Sequence, residues 1–187
     1  SRGAGWGYIG RSSPIRGPSV SRSLLKMRVR LLAALLVSVV ATACLSADPF
    51  VPRIEDVTFD PSLGVNLAAS TKTASGLYYR DITVGSGDSV RVGADGDTVF
   101  VRYQGWLRNA VKFDDNTAAA NPFRFVTGLQ SVIDGFEEGA RGMKTGGVRQ
   151  IIIPPALGYG SSGTASIPPN SILVFNITLT RVGVPVT

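Results

Sequence analysis

Histidine is absent from all 187 residues, and cysteine occurs once, at Cys44. The first absence removes Ser-His and Cys-His nucleophilic catalysis, His-ligated zinc and imidazole acid-base chemistry. The second removes any intrachain disulfide and any cysteine-rich metal centre, so the fold must rest on ordinary burial. Charged residues are few, at 17%, and unevenly spread. Residues 1–43 hold seven Lys or Arg and no Asp or Glu, whereas residues 44–187 hold twelve against thirteen. The +6 net charge and the pI near 9.9 therefore belong to the leader. The remainder, at −1, implies neither a basic face nor a nucleic-acid partner. A hydrophobic share of 44% excludes a disordered chain, and no collagen-like or coiled-coil repeat is present. From Cys44 onward the chain is long enough for one sizeable core.

No apolar run near the N-terminus reaches the 20 or so residues that a bilayer span takes. The run Leu31 to Ala43 is uncharged but only thirteen residues long, and Lys26, Arg28 and Arg30 precede it. A basic region, a short apolar region and the small residues Ala41-Thr42-Ala43 predict a secretory signal cut before Cys44. The signal-like part is residues 26–43 of a leader spanning 1–43, and the Gly, Ser and Arg richness before it predicts no fold. Ala-Thr-Ala-Cys resembles the lipobox of bacterial lipoproteins, although Leu is commoner where Ala41 stands, and ordinary signal peptidase would accept the same Ala-x-Ala. Cys44 is thus the expected lipid-attachment residue. The protein is expected to be exported, and either anchored at the cell envelope or secreted. Residues 44–75, with Pro49, Pro52 and Pro61, lack sustained periodicity and read as a tether or an N-terminal wrap; a flexible coil of about 30 residues would average roughly 30 Å end to end.

Residues 76–183 carry the domain, and 184–187 a tail. Alternation of period two dominates, with β-branched and aromatic residues in the apolar sets. Strands are expected over 77–84, 98–107, 123–126, 147–153 and 172–181. Val99, Val101 and Tyr103 share one face of the second, and Leu173, Phe175, Ile177 and Leu179 one face of the last. One stretch departs from this pattern. Between Gln130 and Met143, Val132, Ile133, Phe136, Ala140 and Met143 recur at helical spacing. Gly135 and Gly139 each cost about 1 kcal/mol there against Ala, so the helix must be held by packing on the sheet. Antiparallel strands with one helix define an α+β domain.

Six motifs in order carry a resemblance: Val101-Arg-Tyr-Gln-Gly-Trp-Leu107, Lys112-Phe-Asp114, Asn121-Pro-Phe-Arg-Phe125, Val132-Ile-Asp-Gly-Phe-Glu-Glu-Gly139, Ile152-Ile-Pro-Pro-Ala-Leu-Gly-Tyr-Gly160 and Ile167-Pro-Pro-Asn-Ser-Ile-Leu-Val-Phe175. Together they resemble the FKBP-type peptidyl-prolyl cis-trans isomerases over about residues 76–183. The resemblance implies a five- to six-stranded antiparallel sheet curled around one short helix, and rotation of X-Pro amides without a cofactor or metal. It implies proline-containing unfolded or nascent polypeptides as substrates, macrolides among the ligands, and a bowl made of Tyr103, Phe113, Phe123, Val132, Ile133, Phe136, Ile167 and Phe175. Phe136 would be its floor, where the commonest eukaryotic members carry Trp. Asp114 would stand at the wall, holding a tyrosine hydroxyl or facing the amide. Tyr159 would offer its hydroxyl to a substrate carbonyl, and Ile167 its backbone N–H. The loop 161–166 is about one residue shorter than in the small eukaryotic forms.

Bland readings accompany each of these residues. Apolar side chains at sheet and helix spacing are ordinarily core, and a loop tyrosine can be satisfied internally. Glu137 and Glu138, adjacent on a helix, point about 100° apart, which makes them a solvated face rather than a catalytic pair. Asp95-Gly-Asp97 lacks the remaining ligands of a calcium loop. The rival function is a chaperone or binding module that holds proline-containing segments without turnover. With no dimerisation helix in sight, the expected state is a monomer.

Overall fold

The computed structural model describes residues 51–91, 95–117 and 120–183. The expected leader, the expected lipid-attachment residue Cys44 and the expected tail lie outside them. Among the described residues, strands β1 (Thr71–Lys72), β2 (Tyr78–Thr83), β3 (Thr98–Leu107), β4 (Lys112–Asn116), β5 (Phe123–Val126), β6 (Val148–Ile153) and β7 (Leu173–Gly183) accompany one α-helix, α1 (Asp134–Ala140). All strand pairs are antiparallel, in the order β1-β2-β6-β7-β3-β4, with β5 also on β3. The count exceeds the expected five or six for two reasons. β1 is only two residues long, and β4 and β5 divide one edge of β3: β5 takes Thr98 to Val101 and β4 takes Tyr103 to Trp106.

Each face of the sheet has its own apolar cover. On one side Val99, Val101, Phe125, Ile151, Ile153, Leu173, Phe175, Ile177 and Leu179 pack with Phe136 and Ala140 of α1. On the other, Ile152, Val174, Tyr78 and Ile172 pack with Ile54 and Leu63, two residues of the segment before β1. That segment forms three 3-10 turns, Ile54–Asp56, Pro61–Leu63 and Leu67–Ala69. It is thus a wrap over its described length. The Tyr78 hydroxyl donates to Glu55 Oε1 at 2.6 Å, and Lys72 also bonds Glu55. Gln150 donates to the carbonyl of Leu63 at 2.8 Å. Both covers fall within Asp48–Thr187, which is a compact unit in its own right.

Helix α1 is shorter than the periodicity over 130–143 suggests. Gln130 sits at φ 50° and Ile133 is extended at φ −62°, ψ 145°, so the chain enters the helix only at Asp134. Extended Arg141 and then Gly142, at φ 75°, end it. Its two glycines have a packing role. A Cβ on Gly135 would lie 2.4 Å from Ile153 Cγ2, and one on Gly139 would lie 2.8 Å from Ile151 Cγ2. The helix axis rests so close to β6 that no side chain fits between.

Candidate active site

The cavity of interest opens between α1, β3 and the loops after β5 and β6. Period-two alternation puts Tyr103 of β3 and Phe175 of β7 on the α1 side of the sheet, and β5 adds Phe123 and Phe125. Phe136, in the first turn of α1, sits among all four. Its ring centroid is 5.4 Å from Tyr103, 6.5 Å from Phe123, 5.8 Å from Phe125 and 5.2 Å from Phe175, every contact edge-to-face. Each such pair adds about 0.5–1.5 kcal/mol beyond simple burial. The floor is therefore fixed in orientation as well as position.

Above that floor is a cavity of about 190 Å³ lined by Tyr103, Asp114, Phe123, Ser131, Val132, Ile133, Phe136, Tyr159 and Phe175. A larger one of about 460 Å³ lies elsewhere, between Pro52, Val57, Arg108 and the 168–172 loop. That one gathers no aromatic cluster and no acid, and another of about 390 Å³ beside Asp95, Glu137 and Arg141 has acids but no aromatic side chain; of these cavities the Phe136-floored one alone joins an aromatic cluster to an acid.

Polar groups reach the cavity from β3, β4 and the loop after β6. A bulge in the β3–β4 register between Gly105 and Trp106 sets Phe113 edge-on to Phe175 at 5.4 Å, and Asp114 lies opposite Gly105. Gly105 is required there, since a Cβ would meet Phe175 at 2.6 Å and Phe113 at 2.8 Å. The Tyr103 hydroxyl donates to Asp114 Oδ2 at 2.7 Å. Burial and that bond to a carboxylate push the Tyr103 hydroxyl well above the ordinary tyrosine range. It stays a donor, and the bond pins Asp114 at the cavity wall. Tyr159 is 37% exposed, and its hydroxyl has no hydrogen-bond partner among the described residues. Burial, and secondarily the Asp114 charge, raise its pKa too.

Eight of the ten expected site residues line the cavity. Phe113 stands behind the wall rather than in it. Ile167 is 3% exposed, lies outside the lining, and already donates its N–H to the Thr164 hydroxyl at 3.1 Å. Two features have no signal in the sequence. Ser131 joins the rim, and the Ile133 N–H at the cavity wall has no acceptor among the described residues. Because Ile133 caps α1 in an extended conformation, its amide points outside the helical bond pattern. This free donor becomes visible only once the true start of the helix is known.

The profile of the FKBP-type peptidyl-prolyl cis-trans isomerases matches residues 90–180. The crystal structure of AtFKBP13 is 32% identical with a TM-score of 0.55, and the match covers 98% of that chain and 61% of this one. The chain belongs to the FKBP-type peptidyl-prolyl cis-trans isomerase family. Among curated relatives, FkpA of Escherichia coli K12 is 41% identical over 109 residues, which is 58% of this chain and 38% of FkpA. FK506-binding protein 4 of Gibberella zeae is 43% identical over 115 residues, 62% of this chain and 22% of that protein. The crystal structure of FkpA from Escherichia coli gives a TM-score of 0.55 at 38% identity, over 61% of this chain and 51% of that one. This FKBP thus spans between a fifth and two fifths of the length of these two curated relatives. The α+β fold expected from the pattern is the family's fold.

Proposed function

We propose that this FKBP rotates X-Pro amides of polypeptides outside the cytoplasm, and that it does so by desolvation without a covalent intermediate. The observation that carries this reading is the Phe136-floored cavity with two unspent donors on its wall, the Tyr159 hydroxyl and the Ile133 N–H.

Rotation about an X-Pro bond meets a barrier of about 18–20 kcal/mol because amide resonance is lost at the perpendicular geometry. A planar amide is more polar than a twisted one, so a dry aromatic enclosure penalises the ground state more than the transition state. A thousandfold acceleration takes about 4 kcal/mol at 1.36 per decade. Desolvation plus one or two hydrogen bonds covers that amount. The prolyl ring would lie on Phe136, flanked by Tyr103, Phe123, Val132 and Phe175. The Tyr159 hydroxyl and Ile133 N–H would hold the flanking carbonyls, in place of the Ile167 N–H that Thr164 occupies. At about 190 Å³ the cavity is smaller than the roughly 300–1,000 Å³ typical of drug-sized ligands. It suits a proline ring, and a macrolide only through its proline-like part.

A chain from residue 45 onward should accelerate cis-trans exchange of a proline tetrapeptide in a protease-coupled assay; a rate at background would end the isomerase reading. Phe136→Leu should lower turnover more than Asp115→Ala, which removes a surface ion pair with Lys112. Export and anchoring rest on the basic-apolar leader and on Cys44 directly after Ala41-Thr42-Ala43. Mass spectrometry of the mature N-terminus tests them: a diacylglyceryl group on Cys44 is expected, and an unmodified Cys44 would refute anchoring.

A further inference from the structure

Charge balance from Cys44 onward implies no basic face, yet strand register builds one. In β3, Phe100 lies opposite Arg124 of β5 on one side and Arg181 of β7 on the other, and Arg102 follows two residues later. Residues directly opposite in an antiparallel pair share a face, as do i and i+2 within a strand. The three arginines therefore stand together on the face turned away from the cavity. The Arg181 guanidinium lies 3.8 Å from the centre of the Phe100 ring. None of the three has an ion-pair partner among the described residues. Arg102 Nε is enclosed without any acceptor.

We infer that this face is a docking surface for an anionic lipid bilayer. Three unpaired guanidiniums on a sheet face can each meet a phosphate in bidentate fashion. The inference rests on the export-and-anchor reading for its target. The wrap that leads back toward Cys44 covers this same face at its Trp106 end. Only six residues, 45–50, separate Cys44 from Val51, a reach of at most about 25 Å. Acyl chains plus a basic patch are the two signals that stable peripheral anchoring takes. The cavity, on the opposite face, is left open to clients.

Sedimentation with vesicles tests this, using the compact chain from residue 45 onward so that neither leader nor acyl group contributes. Binding is expected to vesicles with about 30% phosphatidylglycerol in phosphatidylcholine and not to pure phosphatidylcholine. It should fall between about 0.1 M and 0.5 M salt as screening shortens. Arg124→Glu with Arg181→Glu should lower the partition coefficient at least about tenfold while prolyl turnover and thermal unfolding stay unchanged. Should that pair fail to fold, Arg124→Glu alone, an exposed residue on an edge strand, is expected to lower it severalfold. No binding to anionic vesicles, or equally tight binding to polyglutamate, would overturn the inference. Acylated Cys44 with no vesicle binding would defeat the patch and leave the anchor standing; vesicle binding with unmodified Cys44 would do the reverse.

Discussion

Tyr103 and Tyr159 face the same carboxylate and end in different states. Tyr103 spends its hydroxyl on Asp114 at 2.7 Å, and Tyr159 keeps its own free. The distinction assigns them different work, since only an unspent donor can follow a carbonyl as the amide twists. Tyr159→Phe should cost about one hydrogen bond, 0.5–1.5 kcal/mol, or roughly two- to tenfold in kcat/KM. A protease-coupled assay reads this directly, and an unaltered rate would remove Tyr159 from the mechanism. Asp114→Asn should act on a second observable. Burial raises the Tyr159 pKa and the Asp114 charge raises it further, so neutralising Asp114 should bring Tyr159 ionisation to lower pH. A pH titration of phenolate absorbance, with Tyr159→Phe identifying the signal, should show that displacement.

Elements differ in how clearly the sequence announces them. Strands β3 and β5 match their expected limits, and β2, β6 and β7 match within two residues, because alternation of β-branched and aromatic residues is a strong signal for half-buried strands. β4 is not visible this way. Lys-Phe-Asp-Asp-Asn has one apolar residue, and it becomes a strand because β3 offers it an edge. The pattern alone would also leave Tyr103, Phe123 and Phe175 as ordinary core; the family motifs single them out, and Thr164 blocking Ile167 belongs to loop geometry that no periodicity encodes. The glycines of α1 are the most instructive case. Propensity predicts that Gly139→Ala stabilises by up to about 1 kcal/mol. The new methyl, however, would meet Ile151 Cγ2 at 2.8 Å and Cδ1 at 2.9 Å, and overpacking typically costs about 1–3 kcal/mol. Net destabilisation of about 1 kcal/mol is expected in chemical unfolding, with lowered turnover because Phe136 shifts with the helix. A stabilised, fully active Gly139→Ala would mean that α1 does not need its close seat on β6.

At the scale of the whole molecule, the two faces of one sheet are held by different means. Fifteen buried residues fill the cavity side, whereas the wrap side has six and is completed by polar ties. The central tie is Glu55, whose carboxyl is lowered from 4.5 to about 2, chiefly by its bond to the Lys72 ammonium and then by the Tyr78 hydroxyl. A carboxyl depressed in the folded state stabilises it fully above the unfolded pKa and loses that contribution as pH falls through the folded one. The relevant window therefore runs from about 4.5 down to about 2. With the Glu55 side chain 37% exposed, solvent screening limits the effect to about 1 kcal/mol or less. Trp106 packs against the wrap-side cluster and is the only tryptophan after residue 45, so its fluorescence reports the wrap. The stability difference between the parent and Glu55→Gln should be full at neutral pH and should vanish as pH approaches 2. Prolyl turnover, which depends on the opposite face, should change less than the Trp106 signal across the part of that window where the sheet stays folded. No Glu55→Gln difference at neutral pH would show that the wrap is held by its apolar contacts, Ile54 and Leu63 among them, and that the Glu55–Lys72–Tyr78 cluster adds nothing to an apolar seam.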